Sequence, residues 1–164
     1  MIKLIVLDVD GCMTDGRIIY TNEGDELKFF NVKDGFAIVN WIRLGRDAAI
    51  ITGRRSKIVE RRAKELGIPH LFQGVEDKLK KLEELCAHLG ITLDEVAMIG
   101  DDLNDYKILK RCAISFVPND ANHRIIEIAD VVLSRKGGDG AVREMIELLI
   151  RQEGLEEEYL SRWV

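Results

Sequence analysis

Ile2-Lys3-Leu4-Ile5-Val6-Leu7-Asp8-Val9-Asp10-Gly11-Cys12-Met13-Thr14-Asp15 is the stretch whose reading decides the fold. Ile2 to Leu7 is apolar apart from Lys3, which is the composition of a central strand covered on both faces. The run ends at Asp8, with a second acid at Asp10 and a glycine at Gly11. Acids two apart at a strand's carboxyl end can point to the same side. They repel each other, and neither gains from burial unless a proton or a cation offsets the charge. A hard divalent cation with oxygen ligands, such as Mg²⁺, suits them. Taken alone, the stretch also fits a solvated Asp-Gly turn.

Outward from it, the chain alternates strand and helix. Arg17 to Thr21 and Glu26 to Val32 read as the two strands of a hairpin, turning at Asn22-Glu23-Gly24-Asp25. Phe36 to Ile42 has helical spacing, with Asp34 as its expected N-cap. Strands follow at Ala48–Ile51, Ile68–Phe72, Val96–Ile99, Ala113–Val117 and Val131–Leu133. Helices are expected over Ser56–Leu66, Glu76–Leu89, Leu103–Lys110, Asn122–Ala129 and Ala141–Arg151. This order predicts an α/β fold, a doubly wound parallel sheet with a hairpin inserted after the first strand. Residues 1–164 read as a single domain with hairpin 17–32, a C-terminal tail 151–164 and no inserted cap domain. Ligands of such sheets bind at the strands' carboxyl ends. The polar clusters Asp8/Asp10, Thr52/Arg54 and Asp101/Asp102/Asp105 all fall there, and Lys78 follows the third strand in the same sense.

Composition narrows the functions. A total of 24 Lys and Arg against 29 Asp and Glu gives a net charge of −5, with no basic run, which argues against nucleic acid as a partner. No stretch approaches membrane-spanning length and the N-terminal apolar run is too short for a signal peptide. Cys12, Cys86 and Cys112 are an odd set without metal-ligand spacing, so reduced thiols in a cytoplasm are expected.

With those clusters in place the chain resembles the haloacid dehalogenase-like phosphohydrolases over essentially its whole length. The matching motifs are Asp8-Val9-Asp10-Gly11-Cys12-Met13-Thr14, Thr52, Lys78 and Gly100-Asp101-Asp102-Leu103-Asn104-Asp105. Thr52-Gly53-Arg54 with Arg62, and Gly137-Gly138-Asp139-Gly140-Ala141-Val142-Arg143-Glu144, look like the capless branch acting on 3-deoxy-D-manno-octulosonate 8-phosphate. The resemblance implies Asp8 as nucleophile, Asp10 as general acid and base, and Mg²⁺ on Asp8, the Asp10 carbonyl and Asp101. It also implies that Thr52 and Lys78 hold the phosphoryl group, with Gly53, Arg54 and Arg62 around the sugar acid. Asp102 and Asp105 are read as outer metal groups, as partners of Lys78, or as acids at a helix start. Cys12, where the family usually carries an aliphatic residue, is expected to pack under the loop.

Two further readings stay open. A nine-carbon sugar acid phosphate is the alternative substrate, and a non-catalytic binding domain on the same scaffold is the alternative class. The glycine run 137–140 is either a helix lead-in or a mobile loop beside the site. The hairpin alternation puts Ile18, Tyr20, Leu27 and Phe29 on one face and Ile19 and Phe30 on the other. A ribbon apolar on both faces predicts a homo-oligomer, most simply the tetramer of the resembled family, with a neighbour's hairpin or tail over each site.

Overall fold

A computed structural model describes residues 1–164. Its centre is a parallel six-stranded sheet in the order β5-β4-β1-β6-β7-β8, with a separate two-stranded hairpin, β2-β3. The strands are β1 (Leu4–Leu7), β2 (Ile19–Tyr20), β3 (Glu26–Leu27), β4 (Asp47–Ile51), β5 (His70–Phe72), β6 (Val96–Ile99), β7 (Ile114–Val117) and β8 (Val131–Val132). The helices are α1 (Val32–Arg43), α2 (Lys57–Leu66), α3 (Lys78–Leu89), α4 (Tyr106–Leu109), α5 (His123–Ile126), α6 (Ala141–Gln152) and α7 (Glu156–Leu160).

The expected doubly wound architecture is present, and its register positions the site. Leu4 pairs with Asp47 on one side and Val96 on the other, and Leu7 with Ile50 and Ile99. β1, β4 and β6 therefore run out together, so Asp8, Thr52 and Asp101 emerge at one edge. The chain winds from β1 through β4 to β5 in one direction, then from β6 outward in the other. The reversal falls between β1 and β6, the place where such sheets open a crevice. Alternation along β1 sends Ile5 and Leu7 into one core, with Trp41, Ile38 and Met145, and Leu4 and Val6 into the other, with Leu82 and Met98. Trp41 is fully buried and donates its indole N–H to the Asp47 carbonyl at 2.9 Å, which ties α1 to β4.

The structure corrects the sequence reading in four places. The hairpin ladder is only Ile19–Tyr20 against Glu26–Leu27, and the expected second strand stops short of Val32, because the chain turns at Asn31 into α1. Asn31, not Asp34, caps α1, accepting the Lys33 N–H at 2.8 Å and the Asp34 N–H at 3.4 Å. The ladder pairs Ile19 with Leu27 and Tyr20 with Glu26, so Tyr20 shares a face with Glu26 rather than with Leu27. A one-residue difference in register exchanges the faces of a strand. Finally, the tail contains a helix, α7, whose Tyr159 is buried and whose neighbour Trp163 packs its ring 5.0 Å from Phe36.

Candidate active site

The site is built from the acids at the end of β1 upward. Asp8 is buried, and its Oδ1 accepts a hydrogen bond from Lys78 Nζ at 2.9 Å. Lys78 is the first residue of α3, set by the Asp77 side chain, which caps that helix by accepting the Lys80 N–H at 3.0 Å. The same Lys78 Nζ donates to Asp105 Oδ1 at 2.6 Å, and Asp105 is fully buried. Asp105 in turn accepts the Asp101 backbone N–H at 3.0 Å on its other oxygen, which holds the Gly100–Asp105 turn closed. Of the alternatives for the two later acids, Asp105 is thus the partner of Lys78. Asp102 is exposed and accepts the Leu103 N–H at 2.8 Å, the helix-start role. A cleft of about 370 Å³ opens here between Asp8, Asp10, Asp101, Asp102, Leu103 and Asn104.

Asp10 sits at the mouth. Its Oδ1 lies 2.5 Å from Lys28 Nζ, which arrives from just beyond β3. Its Oδ2 lies 3.9 Å from Arg54 Nε, an ion pair too long for a hydrogen bond. Glu26 joins the two cations, with its Oε1 3.2 Å from Lys28 Nζ and 3.2 Å from Arg54 Nη2. Arg54 Nη2 also reaches the Tyr20 hydroxyl at 3.4 Å. The hairpin thus lies across its own site through its polar face.

The electrostatics say what is missing from the protein's own complement of charges. Burial, reinforced by Asp105 and opposed by Lys78, pushes the Asp8 carboxyl up to about 6. Burial together with Asp8, Asp105 and Asp102 pushes Asp101 up to about 8. Burial by itself would lower Lys78, but Asp8 and Asp105 more than offset it and hold the ammonium above its ordinary range. Three carboxylates therefore share one lysine, and no protein donor holds the Asp101 side chain. A divalent cation would balance that excess. The backbone is shaped to match, since Gly11 at φ +94° lies so close that a Cβ there would collide with the Asp101 carboxylate. Cys12 Sγ lies within 4.8 Å of ligand oxygens of Asp8 and Asp101. Burial pushes its thiol well above the usual range, so it stays neutral and packs in the core as expected. Oxygen ligands around a net negative pocket fit Mg²⁺.

Comparison with known proteins agrees with this geometry. A family model described as haloacid dehalogenase-like hydrolase matches residues 70–146, the span that holds Lys78 and Asp101–Asp105. A 3-deoxy-D-manno-octulosonate 8-phosphate phosphatase of Yersinia pestis is 47% identical over 156 residues, covering 94% of this chain and 83% of that protein. The chain belongs to the haloacid dehalogenase-like phosphatases. Among solved structures of these phosphatases, one from Moraxella catarrhalis superposes with a TM-score of 0.97 at 41% identity, over 99% of this chain and 94% of that one. It is a 3-deoxy-D-manno-octulosonate 8-phosphate phosphatase in complex with magnesium ion, phosphate ion and a KDO molecule. A probable phosphatase from Pseudomonas syringae gives a TM-score of 0.96 at 44% identity, over 99% of this chain and 92% of that one.

Within this phosphatase fold, most of the residues singled out from the sequence converge on the cleft. Thr52 is buried at the end of β4, fixed by its N–H to the Phe72 carbonyl at 3.0 Å and by its carbonyl to the Val75 N–H at 3.1 Å. Gly53 lies beside Asn104 on the rim, and Arg54 is exposed above it. Arg62 is the exception. Its guanidinium stacks over Phe30 with 5.6 Å to the ring centre, pairs with Glu65 at 3.6 Å and presses on Gly35. Those contacts join α2 to α1 and none reaches the acids, so the first turns of α2 carry it away from Arg54 rather than toward it.

The glycine run is neither a plain lead-in nor a free loop. The Gly138 N–H donates to the Cys12 carbonyl at 2.9 Å, and a Cβ at Gly137 would strike the Gly11 carbonyl. The run is a backbone wedge against the Gly11–Asp15 loop that follows the two acids. Lys28 and Glu26 were not legible as site residues, because a Lys and a Glu on a short ribbon look like any solvated pair. Their alternation with Leu27 and Phe29 is the one signal that set them on a common face.

Proposed function

We propose that this chain is a Mg²⁺-dependent phosphomonoesterase that hydrolyses 3-deoxy-D-manno-octulosonate 8-phosphate to the free sugar acid and phosphate, a step in making a lipopolysaccharide sugar. The observation that carries the reading is the buried Asp8 at the head of the cleft, held by Lys78 at 2.9 Å and faced by Asp101. The identity to the Yersinia pestis phosphatase over 94% of the chain supports the substrate.

Asp8 attacks phosphorus, forming an aspartyl-phosphate and splitting one difficult hydrolysis into two easier steps. Asp10 gives a proton to the departing alcohol and then takes one from the water that attacks the aspartyl-phosphate. Lys78 and Thr52 hold the phosphoryl oxygens, and Asp105 keeps Lys78 charged and in place. Asp8 and Asp101 with the backbone carbonyl of Asp10 would hold Mg²⁺, which when bound offsets charge on the transferring phosphoryl group. Gly53 gives the substrate room beside Arg54, whose fork suits the carboxylate of a sugar acid. Arg62 supports this arm of the site through α1 rather than by touching the sugar.

We read residues 1–164 as one unit working in the cytoplasm as a homotetramer. No helix is long and apolar enough to cross a membrane. Support for assembly comes from the hairpin, whose outer face leaves Phe29 68% and Leu27 48% exposed. Its polar face serves its own site, and its apolar face suits a neighbouring hairpin. The function is tested by metal-dependent phosphate release from the sugar-acid phosphate and its loss in Asp8→Asn.

A further inference from the structure

Lys28 is a lysine where lysine is unexpected. Its side chain is 1% exposed although it stands just past the end of a two-residue strand on the molecule's surface. Burying an ammonium is costly unless it is paired on more than one side. Lys28 is paired twice, with Asp10 Oδ1 at 2.5 Å and Glu26 Oε1 at 3.2 Å. Glu26 is in turn bound to Arg54 through the same oxygen, so one carboxylate joins the two cations.

An ammonium has donors only, so the Asp10 oxygen it touches can only accept. The second oxygen, Oδ2, has no hydrogen bond, with Arg54 Nε standing off at 3.9 Å. The two oxygens of Asp10 are therefore unlike: one is occupied by Lys28, and the other makes no hydrogen bond, on a residue that lines the cleft. A free carboxyl on a turn would rotate about its last torsion, which is broad.

We propose that Lys28 is a positioning residue for the reaction. It holds Asp10 Oδ1 so that Oδ2 alone faces the leaving-group oxygen. This inference rests on Asp10 acting as the general acid. Lys28 itself is covered and touches no substrate, and its effect runs entirely through the orientation of Asp10. The hairpin is then part of the acid catalyst, and not only an insertion that shapes the entrance.

The consequence is selective. Leaving groups that depart readily need little help from an acid, and poor ones need much. The experiment uses the full chain with Mg²⁺ and a series of aryl phosphates from 4-nitrophenyl phosphate to phenyl phosphate, with glycerol 3-phosphate as an alkyl ester. None of the aryl esters carries a carboxylate for Arg54, so binding of the sugar acid does not enter. In Lys28→Met, 4-nitrophenyl phosphate should lose less than about threefold in kcat/KM, and the alkyl ester about thirtyfold or more, within the range a positioned acid supplies. The ratio between two esters measured on one sample does not depend on how much of it is folded. Lys28→Gln, which retains a donor, should lie between Lys28→Met and the wild type. An equal loss on every ester, or no loss on any, would overturn the role of Lys28. Asp10→Asn is measured alongside: if it steepens the dependence and Lys28→Met does not, only this inference fails. A flat response in Asp10→Asn would instead remove Asp10 as the acid.

Discussion

The Asp34 carboxylate, in the first turn of α1, accepts the backbone N–H of Arg143 at 2.9 Å and so caps α6, a helix more than a hundred residues later in the chain. Its other oxygen, Oδ2, is buried without a partner. Burial pushes the carboxyl up to about 6, against the pull of the Arg143 and Gly140 N–H groups. Between the ordinary value of 3.8 and about 6, the folded chain holds a proton that the unfolded chain has lost. Stability contributed by this group therefore rises as pH falls through that window, and is lost as pH rises through about 6. The gap corresponds to a cost on the order of 2–3 kcal/mol at neutral pH. Asp34→Asn should keep the cap and remove the slope, read as the difference between mutant and wild-type denaturation midpoints at pH 4.5 and pH 7.

Gly11 cannot carry a side chain. Its φ of +94° disfavours one, and the Asp101 carboxylate occupies the space a Cβ needs. Gly11→Ala should raise the Mg²⁺ concentration for half-maximal activity by about tenfold or more, by displacing Asp101, while the sheet core is untouched. A metal titration of activity, with circular dichroism as the control for folding, checks this.

Arg54 is exposed and is held in the free protein by Glu26 and Tyr20. Arg54→Ala should reduce kcat/KM on the sugar-acid phosphate by about tenfold to a hundredfold, since a charge-assisted contact is lost. On 4-nitrophenyl phosphate the change should stay within about threefold. Equal losses on both would mean that Arg54 serves Asp10 and not the sugar acid.

The outer face of the hairpin should carry the assembly. Phe29→Glu puts a charge where an apolar ring stands exposed, and light scattering at micromolar concentration should then report a smaller species than the wild type. Lys28 and Glu26 lie on the opposite face, so activity on 4-nitrophenyl phosphate should survive within about threefold. A wild-type chain that is already a monomer would contradict the assembly.

The sheet and most of the site were legible because both are written in short local patterns. Apolar runs of four to six residues each ended in polar clusters, and the pairing register then delivered Asp8, Thr52 and Asp101 to one edge. What was not legible depended on contacts distant in sequence. Asp34 carries the residue type of a cap, but the helix it caps is set by the packing of α1 against α6. Arg62 shares its type and rough spacing with ligand-binding arginines, yet Phe30 and Gly35 take up its guanidinium. Lys28 reads as a surface lysine until the two-residue ladder fixes which face meets Asp10. For Asp34 and Arg62 the residue type was informative and the partner was not, and for Lys28 neither was, because partners come from tertiary packing.

The most direct test of the account is phosphate release by the purified chain from 3-deoxy-D-manno-octulosonate 8-phosphate, a nine-carbon sugar acid phosphate and 4-nitrophenyl phosphate, each with Mg²⁺ and with chelator. The account predicts the highest kcat/KM on the octulosonate ester, by about tenfold or more over the nine-carbon acid, with a loss of at least about a thousandfold in Asp8→Asn or when metal is removed. Comparable rates on the two sugar acids would move the substrate assignment, and metal-dependent turnover that survives in Asp8→Asn would contradict the mechanism itself.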